Sequence, residues 1–529
     1  MKSKVLLFGP YSKDGLAWSN FGAPPLGVHR IASYLRKRYH KVDVVDPDLE
    51  KITEKSFQNL VTKNKYDFIG ISPTHLTLEN DLALVHLAKR CSPNSTIVAG
   101  GQEATFAYDL IFDNSPVHVV VRGEGEKPML RMTEAPVSGG LMERFGNIKG
   151  LIIKDKGVAI PTGCAQPLDN HEFEEVTLGI DFKDIPYDKY WDRTRGLYED
   201  DLANVALRKK RLHEIYAMRL FETNYCPRGC TFCSSTNFQN TVAGKKGTKV
   251  VSLSPEAFIK MVESAYLAYP SLKRALIQSD NFLDNNRNQR IKKITELIKL
   301  KKGETLPKEM SFICQSRVDN VTPQMLGYLR ESNFVMIGYG VESFSKRMLD
   351  ELNKRVGPQR AEQTISNTLS AGILPYVNVI LTSPKSTPYD LFHTVDKCID
   401  YLDLGAEVGS YVCIIPIPGS ALASNPESQS LIEAAQVKIP YTNKSFSKTI
   451  RLLPEDPLLQ ELVHRFYEVI NDKKSECMEQ YNIKHIPARI NTLITFSTLY
   501  GLAKKLRIPK YGELADRQIS RIQKALVNI

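Results

Sequence analysis

Three cysteines spaced four and three residues apart form the densest group of chemically active residues in this sequence: Cys226, Cys230 and Cys233. Thiolates at this spacing can ligate three irons of one cubane iron–sulfur cluster, and the fourth iron then stays open to an exogenous ligand. An open iron is typical of a catalytic cluster rather than one that only carries electrons. Zinc held by three cysteines and a distant histidine is the alternative, although no second Cys or His pair follows at ligand spacing.

The remainder of the sequence is typical of a globular protein in a reducing compartment. Of 529 residues, 42% are hydrophobic and 24% charged, so the chain can bury several cores without disulfides. The net charge of +11 permits an anionic substrate or a nucleic acid but requires neither. The nine cysteines are odd in number and six stand alone, which argues against a secreted disulfide framework. With no signal peptide and no long apolar run, we expect a cytoplasmic protein.

Two series of alternating strands and helices must position these residues. In the first 130 residues, short apolar strands alternate with amphipathic helices, as in a parallel sheet covered on both faces. A second series of six strands begins near residue 219, directly before the cysteines. We therefore predict an α/β protein with a doubly wound, Rossmann-like domain, a partial (β/α)6 barrel and a mostly helical C-terminal region. The predicted bounds are 1–140 for the first domain, 141–215 for a linker with a small hairpin, 216–428 for the barrel and 429–529 for the C-terminal region.

The cysteine loop resembles that of the radical S-adenosylmethionine (SAM) superfamily, whose CxxxCxxC motif it matches. The resemblance implies a [4Fe–4S] cluster whose open iron binds SAM, which is cleaved to a 5′-deoxyadenosyl radical. Residues 338–343 resemble the segment whose acidic residue contacts the ribose of SAM, a role that falls to Glu342; capping of the following helix is the alternative. Further SAM contacts are implied at Asp280, where many members carry glycines, and at Phe232, Gly340 and Pro418.

The N-terminal domain resembles the cobalamin-binding domain that precedes the radical barrel in one large subgroup. The matching segments are residues 24–27, 71–74, 99–101 and 121–126. The cobalamin contacts that this resemblance implies are Ser72, Thr74, Gly100, Gly101, Gly123 and Glu124.

Histidine placement distinguishes this chain from cobalamin proteins in which an imidazole binds cobalt. Residues 9–20 contain no histidine, and Trp18 is a candidate to pack against the lower face of the corrin. The nearest match to the sequence motif that supplies this imidazole ends at His171, which we expect in an ordinary loop outside the sheet. We therefore predict a cobalt without a protein imidazole beneath it; His29 and His75 are the other candidate donors.

These resemblances imply a cobalamin-dependent radical SAM enzyme, a methyltransferase that acts on an unactivated carbon through a 5′-deoxyadenosyl radical and methylcobalamin. A radical cyclase or ring-rearranging enzyme of the same architecture is the alternative. A third hypothesis is a nucleic-acid-modifying enzyme that docks through the seven Lys and Arg residues of positions 502–529. We expect a small-molecule, peptide or lipid substrate and an external electron donor such as flavodoxin or ferredoxin. The sequence indicates neither the substrate nor further catalytic residues.

Overall fold

A computed structural model describes residues 2–13, 23–283, 288–481 and 485–527. Their strands are β1 (Lys4–Phe8), β2 (Lys41–Val45), β3 (Phe68–Ile71), β4 (Thr96–Ala99), β5 (Val119–Val121), β6 (Leu151–Asp155), β7 (Val158–Pro161), β8 (Ala217–Phe221), β9 (Arg274–Gln278), β10 (Ser311–Ser316), β11 (Phe334–Glu342), β12 (Leu374–Ile380), β13 (Glu407–Tyr411), β14 (Ile432–Lys438) and β15 (Ser445–Leu452). Their α-helices are α1 (Leu26–Arg36), α2 (Glu54–Asn64), α3 (Leu78–Cys91), α4 (Gly101–Phe106), α5 (Tyr108–Asn114), α6 (Glu126–Glu134), α7 (Leu141–Phe145), α8 (Asn170–Leu178), α9 (Tyr187–Leu197), α10 (Glu199–Ala203), α11 (Val205–Ile215), α12 (Ser235–Ala243), α13 (Pro255–Ala268), α14 (Asn288–Lys301), α15 (Pro323–Glu331), α16 (Lys346–Glu351), α17 (Pro358–Ser370), α18 (Pro388–Asp403), α19 (Ala421–Ser424), α20 (Pro426–Gln429), α21 (Pro457–Gln480), α22 (Ala488–Lys505) and α23 (Tyr511–Val527).

The N-terminal domain is doubly wound, as the alternating pattern predicts. Its seven-stranded sheet has the order β2-β1-β3-β4-β5-β6-β7, and β1 to β5 are mutually parallel. One face packs against α1, α6 and α7, and the other packs against α2, α3 and α5. Helices on both faces explain why β3, β4 and β5 are buried at every position and read as continuous apolar runs.

The first sheet extends beyond residue 140, where we predicted the end of the domain. β6 pairs antiparallel with β5, placing Ile152 opposite Val120, and β7 then pairs with β6. Pairing with β6 removes the exposed edge that β5 would otherwise present. The predicted hairpin is therefore part of the sheet and not of a linker, and the rest of 141–215 is largely helical. Trp191 of α9 secures this segment to the second domain by donating its indole N–H to the carbonyl of Ala217, at 2.9 Å.

The second domain is an open barrel of six parallel strands in the order β13-β12-β11-β10-β9-β8. β8 and β13 lie at opposite edges of this sheet, so the sheet does not close. In β8 and β9 buried residues alternate with half-buried ones, because helices cover the outer face while the inner face stays accessible. All six strands place their carboxyl ends along one rim, where the cysteine loop follows β8.

The C-terminal region is not wholly helical, since β14 and β15 form an antiparallel hairpin before α21. Ile439 and Phe446 of this hairpin pack into the core of the first domain, whereas α21, α22 and α23 cover the barrel. The basic residues at the end of the chain are partly used internally: Arg521 pairs with Asp400 and Asp403 of α18. Within the described ranges, no helix is long and apolar enough to cross a bilayer.

Candidate cofactor sites

The three cysteines lie on the loop between β8 and α12, at the rim of the open barrel. Their side chains are partly accessible. The loop is fastened to the segment that follows α16, because the Thr231 N–H donates to the Leu352 carbonyl at 3.1 Å and the Asn353 amide donates to the Gly229 carbonyl at 2.7 Å. These bonds position the loop against β11 and its extension.

The cysteine thiols share their surroundings with one cation and one carboxylate. Burial raises the pKa of Cys226 and raises that of Cys233 to about 11, and the nearby charge of Asp280 acts in the same direction. Arg317 donates from Nη1 to the sulfur of Cys230 at 3.8 Å. A cation beside soft thiol ligands fits an anionic iron–sulfur cluster. Among the described residues, however, no three His, Cys, Asp or Glu side chains already form a metal-binding group.

Glu342 ends β11 and faces a buried cation instead of capping α16. Its Oε1 accepts from Nζ of Lys354 at 2.8 Å, and the two side chains are 11% and 5% exposed. The cap residue of α16 is Ser345, so the capping alternative is wrong. Glu342 has a φ of +66°, in a region that L-residues avoid, at an irregularity in the pairing of β11 with β12. Such backbone strain is frequent at functional sites, which favours the ligand role.

The other predicted SAM contacts lie around the same rim. The Asp280 carboxylate, at the end of β9, accepts from the Ser235 hydroxyl at the start of α12. Gly340 lies so close to the Glu342–Lys354 pair that a Cβ there would be 2.6 Å from the carboxylate. Phe232 packs instead on an apolar cluster that includes Leu352. Thus the fold brings the predicted contacts of β9 and β11 to the same end of the sheet as the cysteines.

Pro418 lies in a turn that reaches the N-terminal domain. Gly419 has a φ of +87°, and a side chain at this position would overlap the ring of Phe106 at the end of α4. The carbonyl of Gly419 accepts from the Asn237 amide on α12 at 2.7 Å. The turn that carries the predicted SAM contact Pro418 is therefore also a contact between the two domains.

A cavity of about 250 Å³ opens at the carboxyl ends of the strands of the first sheet. Its walls are largely apolar and are formed by both domains. The predicted cobalamin residues that line it are Ser72, Gly100, Gly101, Gly123 and Glu124. The second domain contributes Phe221, Thr223, Asn224, Phe238 and Gln239. Such a volume takes part of a ligand as large as cobalamin.

Three charged side chains lie together at one wall of the cavity. Arg30 pairs with Glu126 and lies 3.9 Å from a carboxylate oxygen of Glu124. Burial raises the pKa of Glu124 to about 7, and Arg30 only partly counters that rise. Oε2 of Glu126 is buried and has no hydrogen-bond partner among the described residues. Because cobalamin carries amides that donate, these buried acceptors fit that ligand.

Two of the predicted cobalamin residues, Gly101 and Thr74, have different structural roles. Gly101 has a φ of +86°, and a Cβ there would lie 2.9 Å from Oγ of Ser72, so glycine lets β3 and β4 end close together. Thr74 is used internally: its N–H donates to Asp81 at 3.2 Å, and its hydroxyl lies 2.7 Å from that of Thr77. Thr74 therefore shapes the loop after β3.

The three candidate histidines, His29, His75 and His171, do not line the cavity. His171 is exposed in the first turn of α8, which corrects the expected loop; Asp169 caps this helix. Both ring nitrogens of His75 are engaged, one 3.1 Å from Glu103 and the other 2.8 Å from the Thr449 carbonyl. His29 is buried, which lowers its pKa to about 4. Trp18 and most of residues 9–20 lie outside the described residues.

Sequence reasoning did not single out Lys354, Arg317 or Arg30. Lys354 is twelve residues from Glu342 and Arg317 is 87 residues from Cys230, so no local motif links either pair. Arg30 is 96 residues from Glu126, so no local motif links this pair either. The sequence shows only the two glutamates of the Gly-Glu-Gly-Glu segment that begins at Gly123.

Two protein families match this chain, one in each of the first two domains. The B12 binding domain family matches residues 14–132, and the Radical SAM superfamily matches residues 222–398. A doubly wound domain followed by an open barrel with a three-cysteine loop is the architecture of a radical enzyme that also binds cobalamin. The chain belongs to the radical SAM enzymes that carry a cobalamin-binding domain, and its cofactors are a [4Fe–4S] cluster, SAM and cobalamin.

Two curated relatives and two solved structures are similar to this chain at low sequence identity. An uncharacterized methyltransferase of Pyrococcus horikoshii is 24% identical over 400 residues, which cover 75% of this chain and 77% of the relative. An anaerobic magnesium-protoporphyrin IX monomethyl ester cyclase of Rubrivivax gelatinosus is 22% identical over 79% of this chain and 69% of its own. The solved structure of the radical SAM methyltransferase TsrM from Kitasatospora setae, with cobalamin and a [4Fe–4S] cluster bound, aligns over both full chains with a TM-score of 0.64 and 13% identity. The cobalamin-dependent radical SAM enzyme OxsB aligns over this full chain and 79% of its own, with a TM-score of 0.64 and 16% identity.

Proposed function

We propose that this enzyme is a methyltransferase that places a methyl group on an unactivated carbon of a small molecule, peptide or lipid. The observation that carries the proposal is the shared cavity: its walls come from the strand ends of the first domain and from the residues that flank the cysteine loop. A methyl donor held there would lie beside the radical site, as transfer of the methyl group to a substrate radical formed at that site requires. The methyltransferase relatives support the same reaction class.

The residues of this chain divide the work between binding and orientation. When bound, cobalamin supplies a transferable methyl group, and SAM on the reduced cluster supplies the radical that abstracts a hydrogen atom. Cys226, Cys230 and Cys233 hold the cluster, while Glu342 receives hydrogen bonds from the ribose of SAM. The buried Glu126 orients the cobalamin by accepting from one of its amides. An external electron donor of the flavodoxin or ferredoxin class would supply the electron that the cluster needs.

Contacts between the two domains hold the cysteine loop next to the cavity. The Gln102 amide of α4 donates to the hydroxyl of Ser234, one residue beyond the last cysteine, at 2.5 Å. The turn at Gly419 adds the contact with Phe106. The loop that would bear the cluster and the loop that lines the cobalamin cavity are thereby fastened to each other.

The proposal is tested with SAM that carries a deuterated methyl group. The chain, loaded with iron, sulfide and cobalamin, is incubated anaerobically with titanium(III) citrate, and S-adenosylhomocysteine and the label on extracted cobalamin are measured by mass spectrometry. If the enzyme transfers the methyl group of SAM to cobalamin, S-adenosylhomocysteine forms and the extracted cobalamin carries the deuterated methyl group. Omission of cobalamin should abolish the formation of both products. The Cys230→Ala variant should retain this transfer but lose 5′-deoxyadenosine, whereas Cys164→Ala should retain both products.

A radical cyclase is the second candidate, and the cyclase relative favours it. Cyclisation needs the radical from SAM but no methyl transfer. Formation of 5′-deoxyadenosine without S-adenosylhomocysteine, in the cobalamin-loaded wild-type chain, would contradict the methyltransferase proposal and favour the cyclase.

A further inference from the structure

Arg317 is a buried cation held on two sides beside the cysteine loop. It directly follows β10 and is 6% exposed. Its Nε donates to Oδ1 of Asp319 at 2.9 Å, and its Nη2 donates to the Lys354 carbonyl at 2.6 Å. With two edges of the planar guanidinium occupied, Nη1 is directed at the sulfur of Cys230, 3.8 Å away.

The other charges near the loop differ from Arg317 in their contacts. Arg228 belongs to the loop itself, but its guanidinium donates to the Asn320 side chain at 3.1 Å. Asp280 bonds to Ser235 and acts on the thiols through its negative charge. Asp319 offsets part of the Arg317 charge, although its side chain is 26% exposed and thus better hydrated. Arg317 combines burial, positive charge and an N–H directed at a cluster sulfur.

We propose that Arg317 is a positioning residue that raises the reduction potential of the cluster through the N–H···S bond to Cys230. Reduction adds one electron to the cluster and removes one from the external donor, so the reduced cluster is the more negative form. A hydrogen-bond donor and a positive charge at a ligand sulfur stabilise that form, and hydrogen bonds to sulfur are a recognised determinant of cluster potentials. This inference rests on the cluster of the proposed function and adds a residue that controls electron entry.

The test is a redox titration of the full chain, loaded with its cluster and monitored by electron paramagnetic resonance. We expect Arg317→Gln to lower the equilibrium constant for reduction about tenfold, which corresponds to about 59 mV for one electron. Arg317→Lys keeps the charge and should show a smaller shift. The control is Arg355→Gln, an exposed arginine whose Nε bonds to Asn353 instead of a thiol; its potential should match that of the wild type.

A second measurement needs no change at Arg317. In the Arg228→Gln background, with ¹⁵N-labelled arginine, pulsed electron paramagnetic resonance of the reduced cluster should show a ¹⁵N coupling from the N–H···S bond. This measurement decides the question if Arg317→Gln does not fold.

The outcomes separate this inference from the proposed function. A wild-type chain that forms no iron–sulfur cluster contradicts the proposed function itself. A chain that forms the cluster but shows the same potential in wild type and Arg317→Gln overturns the inference, as does a missing ¹⁵N coupling. Weaker SAM binding at unchanged potential would assign Arg317 to the cofactor carboxylate instead.

Discussion

The Glu342 carboxylate and the Lys354 ammonium form a buried ion pair at the end of β11, where the backbone of Glu342 is strained. If the pair had only a structural role, apolar side chains of similar volume would stabilise the fold at least as well, since burying an ion pair gains little stability. The pair therefore suits a site in which the carboxylate has a second partner, such as the ribose hydroxyls of SAM.

Replacing Glu342 by Gln should weaken SAM binding at least tenfold while cluster iron is retained. A hydrogen bond to a charged acceptor contributes about 1.5–3 kcal/mol. The amide oxygen of Gln still accepts from Lys354, but the buried Lys354 charge loses its counter-charge, so the variant should also be less stable than the wild type. Equilibrium dialysis with labelled SAM measures the affinity. The control is Glu351→Gln at the end of α16, where the wild-type carboxylate accepts from the Ser383 hydroxyl. Equal affinity in wild type and Glu342→Gln would leave Glu342 as the structural partner of Lys354.

The Glu124 carboxyl gives the cavity wall a pH dependence. Its pKa is about 7 in the folded chain, against 4.5 for an ordinary glutamate. Between these values the folded state binds more protons than the unfolded state, so stability falls as the pH rises through this window, by about 3 kcal/mol. Glu124→Gln removes this loss, so its melting temperature should rise relative to that of the wild type from pH 4.5 to 7. Glu175→Gln, on the exposed side of α8, serves as control; a constant difference for Glu124→Gln would contradict the assignment.

At the scale of elements, the turn at residues 416–420 fits against α4 because Gly419 has no side chain. Gly419→Ala introduces strain at a φ of +87° and a clash with Phe106, and should destabilise the chain by at least 1–2 kcal/mol. In a double-mutant cycle, Phe106→Ala should recover the part due to the clash but not the backbone part. Thermal unfolding measures the stability of the wild type and of the three variants. If the two changes are strictly additive, Gly419 and Phe106 do not meet.

At the scale of the whole molecule, the cofactor cavity is shared between domains that are far apart in sequence. Cobalamin should therefore slow amide exchange both at the strand ends of the first sheet and in residues 221–239 of the radical domain. Hydrogen–deuterium exchange of the cluster-loaded chain, with and without hydroxocobalamin, measures both segments. The helices α21 to α23, which cover the opposite part of the barrel, provide an internal control. Protection confined to residues before 162 would show that the first domain binds cobalamin alone.

Sequence by itself determined the elements and the thiol loop of this protein. The five parallel strands β1 to β5 lie within the first 130 residues, where the alternating pattern predicts them, since buried parallel strands leave a local signal. The cysteine loop is also local, because its ligands lie within eight residues of one another.

Only the tertiary structure decided which distant segments meet. The pairing of β6 with β5 and the packing of Phe446 against the first domain depend on chain reversals that no periodicity records. Likewise, the sequence contains Arg317 and Lys354, but it does not indicate that Arg317 lies beside the sulfur of Cys230 or that Lys354 lies beside the carboxylate of Glu342. The physical reason is that periodicity reports burial along one element, whereas partner choice is set by packing between elements whose order the sheets impose.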